Sequence, residues 1–220
     1  MIPLRDINPT RRFPLVTVVL VVANVLVFLL ELLLPSEGVL DSFVFTWGLI
    51  PAELMRLSPL AVVTVFTSMF IHSGFLHLGG NMLYLWIFGD NIEQALGHFR
   101  FILFYLLCGI GAALGQVLLD PSSAIPMVGA SGAISGVLGA YLLLFPKAEV
   151  ETLVFLGYFA RLVRMPAVVV LGMWILLQLF SGLLSLGAEA TGGVAFFAHI
   201  GGFVSGLVLV LLLRRKRWWE

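Results

Sequence analysis

The sequence predicts an all-α polytopic membrane protein: six transmembrane helices in one bundle, with a large first outer loop lying in the interface. Three observations carry this. Hydrophobic residues make up 60% of the chain and charged residues 11%, with a mean hydropathy of +1.10, too little polar surface for a soluble domain. The apolar residues fall into six runs. The basic residues sort to one side of a membrane when those runs are numbered in order.

The first run, roughly 15–34, is about as long as a bilayer is thick and lacks a convincing cleavage site, so it reads as a retained span. Residues 35–70 are apolar but broken by Pro35, Gly38, Trp47-Gly48, Pro51 and Pro59, the pattern of a loop in the interface. Further spans are expected at roughly 74–89, 98–118, 131–145, 166–183 and 194–213. Phe155 to Arg164 reads as a second, smaller interfacial segment.

With the N-terminus inside, eleven of the twelve basic residues are cytoplasmic: Arg5, Arg11, Arg12, Arg100, Lys147, Arg161, Arg164, Arg214, Arg215, Lys216 and Arg217. Only Arg56 falls outside, while Glu37, Asp41, Glu53, Asp120 and Glu189 line the outer loops. The expected organisation is one domain, 1–220: a cytoplasmic N-terminus (1–14), a six-span core (15–213) and a basic tail (214–220) against anionic headgroups, with Trp218 and Trp219 in the interface. No linker or change of composition marks a second domain. Neither the net charge of zero nor the absence of basic clusters outside the two termini suggests a nucleic-acid partner, and none is expected. A single cysteine, Cys108, forbids an internal disulfide and reads as a buried thiol. A compact chain without an organelle signal points to a bacterial plasma membrane.

Placing polar residues in depth brings three segments together. Span two enters from outside near Gly74, which puts His77 and Asn81 in its first two turns, and His199 lies about one and a half turns into span six. Span four starts at Ser131; at ~1.5 Å per residue it is only ~22 Å long against a ~30 Å hydrocarbon core, so its outer end is submerged. Gly132, Gly136 and Ala140 form a small-residue stripe on span four, and Gly202 and Gly206 one on span six, which lets the two helices approach closely. His199 shares the face of Gly202 and looks toward span four. A nucleophile and a base at one depth suggest serine hydrolysis. His77 and Asn81, at i and i+4, share a helical face and can donate hydrogen bonds while uncharged, as an oxyanion demands; the Ser131 N–H at a helix start adds another donor.

These residues carry a resemblance. His72-x4-His77-x3-Asn81, Gly129-Ala-Ser131-Gly132 and Ala198-His199-x2-Gly202-x3-Gly206, in this order, resemble the rhomboid intramembrane serine proteases across essentially the whole six-span core. The resemblance implies a Ser131/His199 dyad, with His77 and Asn81 near the oxyanion hole, no cofactor or metal, and transmembrane protein substrates cut within the lipid bilayer near helix-destabilising residues. It also implies that the span-five side and the outer loop act as gates. The chain departs from the pattern in carrying Ser135 where many relatives have an aromatic on the catalytic histidine, which leaves His199 less rigidly held or held by a hydroxyl. Trp47 and Arg56 are separate where relatives often have a Trp-Arg pair. His72 is expected to hold a loop, His98 to lie at the cytoplasmic face, and Asn24 to make a packing contact.

Other chemistry fits less well. The chain lacks His-Glu-x-x-His, a membrane-embedded aspartate pair and Gly-x-Ser-x-Gly around Ser131. With no carboxylate in spans four or six, the base is expected to work within a dyad. The competing classes are a noncatalytic client-binding protein of the same fold, which usually lacks the serine or histidine, and a transporter, which needs intramembrane ionisable groups.

Overall fold

Helices form over each of the long apolar runs. The computed structural model describes residues 1–157, 159–186 and 194–214. Helix α1 spans Leu15–Leu32, and residues 35–70 fold into short helices α2 (Glu37–Trp47), α3 (Pro51–Met55) and α4 (Pro59–Thr67), closed by a 3-10 turn, Ser68–Phe70. Then come α5 (Phe75–Leu96), α6 (His98–Leu119), α7 (Ser131–Leu144), α8 (Ala167–Ser185) and α9 (Phe196–Leu213). Pro51 and Pro59, read from sequence as breaks, instead open α3 and α4, where a missing N–H leaves no hydrogen bond unmade. Arg215, Lys216, Arg217, Trp218, Trp219 and Glu189 lie outside the described residues.

Among the described residues, α1, α6, α8 and α9 are each long and apolar enough to cross a membrane, and α4 and α5 pass together as a pair bent by 82°. That makes four or five candidate spans, not six, and a multi-pass membrane protein. The shortfall has a physical cause. Helix α5 is diluted by His77, Asn81, Asp90, Asn91, Glu93 and Gln94, and α7 has only 14 residues. The two helices that fall short on their own are the two that carry His77, Asn81 and Ser131.

The all-α expectation is corrected by a three-stranded antiparallel sheet. Strand β1 (Ile2–Asp6) pairs with β2 (Glu149–Leu156), and β2 pairs with β3 (Phe159–Pro166). The segment expected to be an interfacial stretch is therefore a hairpin, turned at Gly157 with φ +62°. Its signal is the alternation Glu149-Val150-Glu151-Thr152, in which Val150 and Thr152 are buried. Arg5 and Arg164 both pair with Glu151, each at 3.0 Å.

At the centre, α9 lies against both α6 and α7. A Cβ on Gly202 would overlap the Gly132 carbonyl and one on Gly206 the Gly136 carbonyl, so the small-residue stripes bring the α7 and α9 backbones into contact. On its other side α9 meets α6 the same way: a Cβ on Gly201 would lie 2.5 Å from Gly111 O and 2.9 Å from Gly115 Cα. Cys108, wholly buried, packs over Gly136. At the other end of the bundle, Glu93 closes the start of α1. Its carboxylate accepts from Val16 N and Thr17 N (2.8 Å each) and Thr17 Oγ (2.7 Å), satisfying helix N–H groups that have no partner in their own helix.

Candidate functional site

Ser131 is the first residue of α7, at the end of a segment tied down on both sides. Leu49 and Met127 exchange backbone hydrogen bonds, which fastens the 35–70 region beside it, and Gly129 N–H donates to Ser68 O at 2.9 Å. Ser131 Oγ–H points along the α7–α9 seam and donates to His199 Nε2 at 2.8 Å. His199 is buried, with 9% of its surface exposed, inside the first turn of α9. Backbone contact at Gly202 is what sets this spacing: a side chain there would press on the Gly132 carbonyl and hold the helices apart, whereas one on Gly132 would meet Ala112 of α6.

On the other side of Ser131 stands α5. His77 Nδ1 accepts from Ser73 N–H (3.3 Å) and faces Ser73 Oγ (3.0 Å). A backbone N–H can only donate, so the Nδ1 lone pair is occupied and the ring proton sits on Nε2. That nitrogen turns toward Gly129. A Cβ on Gly129 would lie 2.6 Å from His77 Nε2 and 3.4 Å from Asn81 Nδ2, and its φ of +115° suits glycine alone. Asn81 Nδ2 is buried and has no hydrogen-bond partner among the described residues. Two uncharged donors therefore converge where the chain turns into Ser131. Helix α7 starts without a side-chain cap, so its first N–H groups have neither a cap nor a partner within the helix.

An open cavity of about 1220 Å³ joins these groups, with Ser131, His199, His77, Asn81 and Trp174 in its wall. It is roomy enough for several residues of extended peptide.

The remaining expected residues fall as follows. His72 is not in the cavity wall: its N–H donates to the buried Glu31 carboxylate (3.2 and 3.4 Å), tying the 71–74 bend to α1, and its ring meets the His77 ring edge-on at 5.1 Å. Ser135 does not hold His199; its hydroxyl donates to Ser131 O at 2.6 Å, one turn back on its own helix. His98 pairs with Glu93 at 2.5 Å, far from Ser131. Asn24 donates to Leu20 O within α1. Two groups on the histidine were not foreseen. Gln178 Oε1 lies 2.9 Å from His199 Nδ1, and the Trp174 ring packs beside the imidazole, centroids 5.9 Å apart and tilted 40°. Both come from α8. The spacing Trp174-x3-Gln178 was the available signal, and in a leucine-rich helix it reads as core.

A family model described as the rhomboid domain matches residues 59–216, well over half of the chain. The chain belongs to the rhomboid family. Among its relatives are RHOMBOID-like protein 5 of Arabidopsis thaliana, 36% identical over 146 residues (66% of this chain, 42% of the relative), and the mitochondrial Rhomboid protein 1 of Saccharomyces cerevisiae, 31% identical over 151 residues (66% and 40%). The Rhomboid protease GluP of Bacillus subtilis is 42% identical over a shorter stretch of 76 residues (34% and 14%). This rhomboid chain thus spans about two-fifths of the length of the plant and yeast relatives. Relatives include mitochondrial as well as bacterial proteins, so they do not support a bacterial plasma membrane over an organelle.

Proposed function

We propose that this rhomboid is an intramembrane serine endopeptidase, and the observation that carries the reading is the 2.8 Å hydrogen bond from Ser131 Oγ to His199 Nε2 beside two converging donors. His199 takes the Ser131 proton as the hydroxyl attacks a scissile carbonyl; the tetrahedral oxyanion is held by His77 Nε2–H, Asn81 Nδ2 and the Ser131 N–H. The imidazolium then protonates the leaving amine, giving an acyl-enzyme. Water activated by the same histidine hydrolyses the ester and releases the second product.

The substrates are transmembrane segments of other proteins, reached from the bilayer. In this reading the chain is one domain, and α1, the bent α4–α5 unit, α6, the short α7, α8 and α9 make six crossings with both termini cytoplasmic. The support is the charge sorting: Arg5, Arg161 and Arg164 lie on the sheet end of the molecule, away from the cavity. The 35–70 region lies in the outer interface.

The test is cleavage of a transmembrane fusion substrate in proteoliposomes by the wild type, Ser131→Ala and His199→Ala. Loss of cleavage in both variants with unchanged melting behaviour is expected. Wild-type rates in either variant refute the dyad, and a wild type inert on several substrates that still retains membrane proteins in a pull-down turns the reading to client binding.

A further inference from the structure

The base of the dyad is gripped from behind by a helix that contributes nothing to the dyad itself. Helix α8 presents Trp174 and Gln178 one turn apart, on one face, to the His199 ring. Resting on the protease reading above, we propose that Gln178 is a positioning residue: its amide oxygen accepts the Nδ1 proton of His199 and so fixes which nitrogen is free to take the proton of Ser131.

The chemistry follows from the two ring nitrogens. A neutral imidazole has one N–H and one lone pair. A carbonyl oxygen 2.9 Å from Nδ1 can only accept, which places the ring proton on Nδ1 and the lone pair on Nε2, 2.8 Å from Ser131 Oγ. The opposite tautomer would turn an N–H toward the serine and could not remove its proton. When the proton arrives, the negative end of the amide dipole faces the new imidazolium without placing a second full charge in an apolar bundle, where an ionised carboxylate is costly. Trp174 closes one side of the ring. On α7 the nearby hydroxyl, Ser135, donates back to Ser131 O, and the group found on His199 Nδ1 is Gln178 of α8. The orientation of the base is thus delegated to α8, which packs against both α9 and α7.

The experiment pairs kinetics with a spectrum. The chain has four histidines, so selective ¹⁵N-histidine labelling gives a short, assignable spectrum of the detergent-solubilised protein. The wild type is expected to show His199 as the Nδ1–H tautomer. Gln178→Leu should show a mixture of tautomers, with kcat reduced about 10- to 100-fold at a KM within about twofold of wild type, the pattern of a misaligned base. Gln178→Glu, which restores an acceptor at the same reach, should recover the Nδ1–H signal and most of the rate. An unchanged tautomer and an unchanged kcat in Gln178→Leu overturn the proposal. A wild type that cleaves nothing overturns the protease reading alone, since the tautomer is read without substrate and still decides whether Gln178 orients the ring.

Discussion

Asn81 is buried in the wall of the cavity with an amide nitrogen that meets no hydrogen-bond partner among the described residues. A polar group kept in that condition beside His77 Nε2 is arranged for something that arrives later. In the proposed reaction that is the oxyanion. His77→Ala and Asn81→Ala should therefore each lower kcat by about 10²- to 10³-fold while leaving KM nearly unchanged, measured by steady-state cleavage in liposomes. An equal loss in KM would assign them to substrate binding. These two residues, with Ser131 and His199, could be read from the sequence because a polar side chain in an apolar run stands out and its depth follows from counting turns. Ser73 and Gln178 could not. Ser73 acts by fixing the His77 tautomer through its backbone N–H, which no residue type signals, and Gln178 matters only once α8 is known to lie against α9.

The α7–α9 seam is built from backbone, so it tolerates no growth. Gly202→Ala puts a methyl group onto the Gly132 carbonyl, and the helices must part to admit it. We expect a loss of about 1–3 kcal/mol of stability and a larger fractional loss of cleavage, because the Ser131–His199 hydrogen bond spans the same seam. Gly172→Ala on α8 is the control: nothing lies within 4 Å of its Cβ, so the added methyl should leave the melting temperature level or raise it. A thermal scan of the two variants side by side checks both. The stripe on α7 and α9 was visible in the sequence as a four-residue repeat of small residues. Its extension onto α6 through Gly111 and Gly115 has the same spacing, but no polar residue marks that helix as part of a site. The hairpin was missed for a different reason. Four residues of clean alternation, in a chain dominated by helical periodicity, give a weak signal, and the third strand that stabilises them comes from the far end of the sequence.

That distant strand gives the molecule a titratable latch. Asp6, at the end of β1, accepts from Tyr141 Oη of α7 (2.7 Å) and Asn91 Nδ2 of α5 (2.9 Å), and Asn91 also donates to Asp90 (2.9 Å). Burial, together with the neighbouring Asp90 charge, pushes the Asp6 carboxyl up from 3.8 to about 6, outweighing the hydrogen bonds that favour the ionised form. The folded state therefore holds this proton more tightly than the unfolded chain does. Its contribution to stability grows as the pH falls from above 6 toward 4 and is lost as the pH rises through about 6. Asp6→Asn should flatten the difference in melting temperature between pH 4.5 and pH 7 (both on the order of the window just given) relative to wild type. An identical slope in the two proteins would show that other groups set it.

The same latch fixes an order of events. Arg5 meets Glu151 across a sequence separation of 146, and Ile2 aligns with Leu153, so β1 has no sheet to join until α1 through α7 have been made and the hairpin has emerged. During synthesis the β1 residues have no strand to pair with while the helices between them and the hairpin are made. Their docking is a long-range closure of the kind that is slow to form. The N-terminal strand thus works as a clasp fastened after assembly. Severing it from an already folded molecule should leave the Ser131–His199 pair in place, whereas deleting it from the gene removes the step that gathers α5 and α7 at the sheet end of the bundle.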